Sequence, residues 1–204
     1  MKSNFFSFFR KGLLKYYYTD TFCRPIIQVV LFAGITVFFH FLWWNGGLRD
    51  FLSHFEAFEA FRRFMVWLVF TMAAWFNESI LGMEIIRQGT TIILPGHGFV
   101  EVVEDCSGTK QFYQILVLFL LFPGPWKQKL GYIPFSILVM HITNVLRIVF
   151  LTLTLLWFPD EWDFVHLYIM RPFFYVVLFV LWIIWVEKFE NPRIKRVMEK
   201  EMIT

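Results

Sequence analysis

Three side chains in this sequence could together carry out acyl transfer. Cys106 stands in a polar octapeptide at residues 104–111, Arg147 lies inside a long apolar run, and His166 follows nineteen residues later. The reaction needs a thiolate that attacks a carbonyl, an imidazole that carries protons, and a fixed cation where negative charge develops on the carbonyl oxygen. These three residues supply those groups, provided that the fold brings them together.

Arg147 is informative because of its apolar surroundings. A charged side chain at bilayer depth is costly unless it faces a polar interior, so an intramembrane arginine indicates a functional site. The alternative is a structural ion pair with an acidic residue such as Glu104 or Asp105. Asn144 precedes Arg147 by about one helical turn on nearly the same face, where its side chain could brace the guanidinium.

The composition places these residues in a membrane protein. The chain of 204 residues is 58% hydrophobic and 22% aromatic, well outside the usual range of soluble domains. Its formal net charge is +3, and its lysines and arginines concentrate at both termini and in one short central loop. That distribution follows the positive-inside rule and does not form a basic patch. We therefore expect the lipid bilayer, and not nucleic acid, as the partner of this chain.

We predict an all-α polytopic membrane protein with four to five transmembrane helices, an outer-face amphipathic or re-entrant helix and a small extracytoplasmic β-hairpin. Apolar runs long enough to cross about 30 Å of hydrocarbon define most of the helices. The single membrane domain comprises a basic cytoplasmic N-terminus with an interfacial anchor (1–24), helix one (25–44), amphipathic, re-entrant or spanning helices (48–82), the outer hairpin (83–105), helix three (107–122), helix four (132–157), helix five (172–189) and a basic cytoplasmic tail (190–204).

The segment at residues 64–81 decides the topology. It is apolar enough to span but carries Asn77 and Glu78 near its end. Apart from Arg147 within the membrane, twelve lysines and arginines fall inside and six outside if the segment lies in the outer leaflet or re-enters, whereas if it spans the division is ten to eight. The first arrangement follows the positive-inside rule better. It places both termini in the cytoplasm, Cys106 at the outer surface and Cys23 on the opposite side, so we expect no disulfide.

Two smaller patterns flank this segment. Phenylalanines at positions 51, 55, 58 and 61 recur at helical intervals, which predicts one aromatic face of a helix on the membrane surface. Strand-forming residues at 90–94 and 99–103 flank a turn sequence at 95–98, which predicts a hairpin with His97 as a turn residue at its tip.

The ordered motifs resemble a known family. Residues 106–108 (CSG) enter a helix, residues 144–148 (NVLRI) lie in the next helix, and His166 precedes a final aromatic-rich helix. This triple closely resembles the exosortase/archaeosortase family, polytopic membrane cysteine transpeptidases of prokaryotes, over roughly residues 64–189, and is most similar to its short bacterial exosortase-like members. The resemblance implies that Cys106 is the nucleophile, Arg147 the second essential residue and His166 the third.

The resemblance also implies a substrate class. Exported proteins that end in a short motif, one transmembrane helix and a basic tail would be cleaved at the outer face of the prokaryotic cytoplasmic membrane, through a thioester on Cys106. His166 would carry the protons, and Arg147 would stabilise the oxyanion or orient the peptide. An amine on a surface lipid or glycan could take the acyl group, with no cofactor or metal.

Neighbouring residues are candidates for substrate binding or for support of the site, namely Asn144, Ser107, Gly108 and Arg171. Glu104 and Asp105 present a difficulty, because carboxylates beside a thiol disfavour the thiolate. We expect them to point away from the thiol or to pair with Arg171 or Lys110.

Other interpretations of the sequence are open. The chain could be a non-catalytic membrane subunit, for example one that assists surface-polysaccharide or protein export, with polar residues that only lock helices together. It could also be a membrane protease that hydrolyses its thioester. Metal catalysis is not expected, since only the loosely placed Asp163 and His166 approach ligand-like spacing in the outer region. A haem or quinone site could use the helix residues His40 and His141.

Overall fold

A computed structural model describes residues 23–192 of the chain. This part is predominantly helical and contains one small sheet. The helices are α1 (Cys23–Trp44), α2 (Leu48–Ser53), α3 (Glu56–Ser79), α4 (Thr109–Leu121), α5 (Trp126–Trp157) and α6 (Pro159–Glu190), and the strands are β1 (Ile86–Gln88), β2 (Thr91–Leu94) and β3 (Gly98–Glu101). The predicted N-terminal anchor and C-terminal tail lie almost entirely outside the described residues.

Three of the described helices, α1, α5 and α6, are long and apolar enough to cross a bilayer by length and composition. The apolar helix α4 has only 13 residues, and at about 1.5 Å per residue it extends about 20 Å. That length is below the hydrocarbon thickness of about 30 Å. The part of the chain that the structure describes therefore has three helices that meet this criterion, where the sequence predicted four to five transmembrane helices.

Helix α5 begins at Trp126, six residues before the predicted start at residue 132. The basic residues that were assigned to a loop belong to its first turn, and Lys129 among them is buried. Its Nζ donates to the main-chain oxygens of Leu120 and Phe122 at 3.0 and 2.8 Å. The ammonium therefore satisfies carbonyls at the end of α4, a favourable place for a cation.

Helix α6 also begins earlier than predicted, at Pro159 and not at residue 172. The acidic segment between the predicted helices four and five starts with Pro159 at a first helical position and has Asp160 and Glu161 in the first turn. Proline and acidic residues both favour a helix start. The helix then passes through a π-helical segment, Val165–Met170, which carries His166.

The predicted surface helix with one aromatic face is divided into α2 and the first turns of α3. Phe58 is buried, and its ring centroid lies 6.4 Å from that of Trp43 and 5.9 Å from that of Tyr113. The other three rings are exposed (Phe51, Phe55 and Phe61). The four phenylalanines therefore do not share one face, because Phe58 packs against α1 and α4.

Helix α3 contains the segment whose topology was ambiguous, and it packs against the C-terminal half of α5. Its residues from Val66 to Ala74 form one apolar cluster with Val145 to Val149 of α5 and with Ile92 of the sheet. His141 Nε2 lies 3.3 Å from the sulfur of Met72. Thus the contacts of α3 with α5 lie toward the end of α5 that also meets the sheet.

The sheet is antiparallel with the strand order β1-β2-β3. Strands β2 and β3 form the predicted hairpin, and β1 is an additional strand that the sequence did not predict. His97 lies at the tip, with its Nδ1 3.0 Å from the Pro95 oxygen. The sheet rests on α5, since a Cβ added to Gly98 would lie 3.5 Å from the Leu155 side chain.

The largest apolar cluster fills the bundle around Trp185, which is fully buried. The Tyr132 hydroxyl donates to the Leu181 oxygen at 2.6 Å, and Trp185 Nε1 donates to the Pro123 oxygen at 3.1 Å. We call the region of Pro123, Lys129, Tyr132 and Trp185 the closed end of the bundle. Cys106 lies at the opposite end of α4.

Candidate active site

Cys106 lies between the sheet and α4. It is the last residue of a short 3₁₀ turn, Glu104–Cys106, and is half-buried. Its amide donates to the Val103 oxygen at 2.8 Å, and the Ser107 amide donates to the Glu104 oxygen at 3.1 Å. The thiol is therefore carried by a hydrogen-bonded turn directly before a helix.

Ser107 and Gly108 shape the start of α4. The Ser107 hydroxyl is 2.7 Å from that of Thr109 and accepts from the Thr109 amide at 3.3 Å. Gly108 has φ 79°, a left-handed conformation that favours glycine, and a Cβ there would lie 3.0 Å from Asn144 Nδ2. Both residues thus have supporting positions in the local backbone.

Asn144 binds the main chain of Cys106. Its Nδ2 donates to the Cys106 oxygen at 2.7 Å, and the residue is fully buried. The sequence predicted that this amide would brace Arg147, but the start of α4 comes close enough to take the hydrogen bond. Asn144 therefore ties α5 to the turn that carries the thiol.

Arg147 is 8% exposed and binds His166. The distance from its Nη2 to His166 Nε2 is 3.0 Å, and its Cζ lies 5.5 Å from the centroid of the Phe174 ring. A guanidinium can only donate, so the accepting Nε2 is unprotonated and the imidazole hydrogen is on Nδ1.

One cavity of about 510 Å³ joins the three predicted residues. Cys106, Arg147 and His166 all line it, and so does Arg171. The thiol, the guanidinium and the imidazole come from the 3₁₀ turn, α5 and α6, respectively. We call this region of the bundle the cavity end.

The two carboxylates beside the thiol have partners that the sequence analysis missed. Arg62 Nη2 lies 2.7 Å from Glu104 Oε2 and 3.8 Å from Asp105 Oδ1. Arg49 Nη2 is 3.2 Å from the same Asp105 oxygen. The expected partners, Arg171 and Lys110, form no ion pair with them in residues 23–192. Arg62 lies one helical turn before Met65 and Val66 in the buried stripe of α3. This helical spacing could have identified Arg62 as a buried residue from the sequence.

A second polar cluster lines the same cavity. Lys110 Nζ lies 3.0 Å from His40 Nδ1 and 3.3 Å from the Tyr175 hydroxyl, and those two groups are 2.7 Å apart. The ammonium is also 5.4 Å from the Trp44 ring centroid. In the described chain, Lys110, Arg147 and Arg171 have no carboxylate within ion-pair distance, so the cavity has an excess of positive charge.

The histidines considered for a haem or quinone have separate surroundings. His40 belongs to the Lys110 cluster, while His141 lies beside Met72 and has its ring centroid 6.3 Å from that of Phe112. Residues 23–192 contain no group of three or more His, Cys, Asp or Glu side chains that could hold a metal ion.

Comparison with known proteins identifies a family for the matched region. The family model described as Transmembrane exosortase (Exosortase_EpsH) matches residues 29–185. The matched region is 157 of the 204 residues and contains Cys106, Arg147 and His166. No curated protein and no solved structure matches the chain.

Proposed function

Because the chain belongs to the transmembrane exosortase family and is an integral membrane protein, we propose that it is a cysteine transpeptidase that cleaves C-terminal sorting signals of exported proteins. The observation that carries this proposal is the shared cavity of Cys106, Arg147 and His166. Three side chains from separate elements, with the types that acyl transfer needs, face one space large enough for a peptide segment.

In the first half-reaction, the Cys106 sulfur attacks the scissile carbonyl carbon. The thiol proton passes to His166, and a sulfur–carbon bond forms while the carbonyl oxygen gains negative charge. Arg147 lines the same cavity as the thiol and provides a fixed cation for that oxygen. The carbon–nitrogen bond then breaks, and His166 returns its proton to the leaving amine of the sorting signal. The product is a thioester on Cys106.

In the second half-reaction, an acceptor nucleophile attacks the thioester carbonyl. Its proton passes to His166 and then to the departing sulfur, so the free thiol is restored. An amine on a surface lipid or glycan gives transfer, and water gives hydrolysis. The two outcomes differ by the mass that the product gains.

The resting hydrogen bond between Arg147 and His166 has a mechanistic consequence. His166 Nε2 accepts from Arg147 at 3.0 Å, so this nitrogen cannot take the thiol proton until the guanidinium moves. A substrate carbonyl oxygen in the cavity would compete for the guanidinium hydrogen atoms. Substrate binding would therefore release the imidazole for proton transfer as it engages Arg147.

We place the cavity end at the outer face of the cytoplasmic membrane. The basic residues Lys127 and Lys129 at the closed end favour the cytoplasmic side, by the positive-inside rule. With α1, α4, α5 and α6 crossing or entering the membrane, both termini lie inside. The substrates are exported proteins with a motif, a transmembrane helix and a basic tail, which reach the cavity from the outer side.

The proposal is tested by replacing Cys106 with alanine and following the processing of co-expressed candidate substrates. We expect processing to fall by at least about 100-fold, since the nucleophile is lost. Cys23→Ala, at the other of the two cysteines in the sequence, is the matched control and should process normally. Undiminished processing by Cys106→Ala would exclude the proposal and favour the non-catalytic subunit, in which the polar residues only lock helices together.

A further inference from the structure

A buried arginine on α3 binds both carboxylates beside the nucleophile. Arg62 is 5% exposed, and its guanidinium lies within 2.7 Å of Glu104 and 3.8 Å of Asp105. Its Nη1 also donates to Glu59 Oε1 at 2.9 Å. One guanidinium thus joins α3 to the two residues that directly precede Cys106.

The neighbouring Arg63 shows that this arrangement is specific to one position. Arg63 is exposed and has no ion pair among residues 23–192, whereas Arg62 shares the buried stripe of α3 with Met65 and Val66. A buried cation is costly unless it is paired and hydrogen-bonded. The pairing with Glu104 therefore fixes where the 3₁₀ turn can lie against α3.

The turn that carries the thiol is held from two sides. Asn144 of α5 donates to the Cys106 oxygen at 2.7 Å, and Arg62 of α3 holds the Glu104 carboxylate. Arg49 of α2 adds a second cation on Asp105 at 3.2 Å. The acidic pair is consequently compensated by two arginines that come from elements outside the reacting triple.

We propose that Arg62 is a positioning residue for the Cys106 thiol: it compensates the acidic pair and anchors the turn, so that the thiol faces the cavity that Arg147 also lines and can lose its proton. This inference rests on the proposed function, because it assigns Arg62 to the reaction of Cys106. Uncompensated carboxylates next to the sulfur would oppose thiolate formation. The compensation by Arg62 removes the difficulty that Glu104 and Asp105 present.

The test measures how fast the Cys106 thiol reacts with a membrane-impermeant maleimide at different pH values, in full-length protein purified in detergent. The modified Cys106 peptide is quantified by mass spectrometry, so Cys23 does not contribute. For Arg62→Gln we expect the pH of half-maximal rate to rise and the rate at pH 7 to fall roughly 3-fold to 10-fold. Arg63→Gln is the control and should keep the wild-type profile.

Two further variants separate charge from structure. Arg62→Lys keeps the cation and should retain most of the wild-type profile. Adding Glu104→Gln to Arg62→Gln removes both charges and should restore the profile toward that of the wild type, an effect that a merely structural arginine would not give. An unchanged profile in Arg62→Gln, or the same shift in Arg63→Gln, would overturn the inference.

Glu104→Gln alone keeps the test decisive if Arg62→Gln does not fold. It leaves Arg62 beside the turn without one of its carboxylates, so the pH of half-maximal rate should fall. A profile that stays at the wild-type position would then refute the compensation. Alkylation needs no sorting signal, so this result is independent of the processing test with Cys106→Ala, and the two proposals can fail separately.

Discussion

The closed end and the cavity end of the bundle use polar side chains in opposite ways. At the closed end, the Tyr132 hydroxyl and Trp185 Nε1 donate to main-chain carbonyls. At the cavity end, Arg147 binds His166, and Lys110 binds His40. A hydrogen bond to a buried main-chain oxygen satisfies a backbone group, so it is retained in the folded protein. A contact between two side chains, in contrast, can be exchanged for a contact with a ligand.

The difference in packing agrees with this division. Trp185 is fully buried within the largest apolar cluster, whereas Cys106 and Arg147 face a cavity of about 510 Å³. Asn144 is the exception at the cavity end, because it donates to a main-chain oxygen, that of Cys106. The backbone of Cys106 is thus held in place like the closed end, while the side chains around its thiol can rearrange.

The largest expected effect is on stability at the closed end. Trp185→Ala removes a fully buried side chain and its hydrogen bond to Pro123, and should lower the free energy of unfolding in detergent micelles by about 3–5 kcal/mol. Thermal unfolding measures the loss. Trp157→Ala, at an exposed tryptophan in α5, should cost much less.

The same variant tests the separation of the two ends. In the folded fraction of Trp185→Ala, the rate at which Cys106 reacts with maleimide should stay within about twofold of the wild-type rate, because distant sites usually act independently. Equal destabilisation by Trp157→Ala, or a large change in the reactivity of Cys106, would contradict the comparison.

The apolar pattern predicted the position of a helix well where the helix is a continuous apolar run. Predicted helix one at residues 25–44 corresponds to α1, Cys23–Trp44, and the turn chemistry at 95–98 corresponds to the turn of the observed hairpin. The starts of α5 and α6 were missed because the first turns of both helices contain polar residues. Such residues interrupt the apolar pattern, although they are favourable at a helix start. Pro159 with the acids that follow it is such a start signal.

The sequence was enough to select three residues of the candidate site, whose catalytic roles stay a prediction, but not the residues that hold them in place. Cys106, Arg147 and His166 stand out by residue type, and the structure places them around one cavity. The partners of Glu104 and Asp105 depend on how α2 and α3 dock against the turn, which local spacing does not contain. The partner of Asn144 depends in the same way on the approach of the Cys106 carbonyl.

The next effect in size concerns the proposed reaction at the cavity end. Arg147→Lys keeps the charge but loses the planar guanidinium that bonds His166 at 3.0 Å and stacks near Phe174. We expect kcat/KM for sorting-signal processing to fall about 100-fold, or about 2.7 kcal/mol of transition-state stabilisation. The control is Arg87→Lys, because the Arg87 guanidinium also binds another side chain, the Glu78 carboxylate, but lies outside the cavity.

Arg87→Lys should process substrate within about twofold of the wild type, by the independence of distant sites. If Arg147→Lys retains normal kcat/KM while remaining folded, the guanidinium is not the group that supports the oxyanion. Equal losses in both variants would mean that the effect comes from general destabilisation and not from the cavity.

The smallest effect on the free energy of unfolding is expected at Gly108, which follows the turn of Cys106 and contacts Asn144. Gly108→Ala places a Cβ 3.0 Å from Asn144 Nδ2 at a φ of 79°, and the strain should lower the free energy of unfolding by about 1–2 kcal/mol. The displaced Asn144 amide should also loosen its hydrogen bond to the Cys106 oxygen and slow maleimide modification of the thiol.

Gly131→Ala is the matched control, since a Cβ there meets no atom within 4 Å and the helix α5 gains about 0.5–1 kcal/mol of stability. Thermal unfolding and thiol reactivity distinguish the two glycines: slowed modification in Gly108→Ala alone identifies the Asn144 contact as the support of the Cys106 turn, whereas unchanged reactivity would show that the turn holds Cys106 without it.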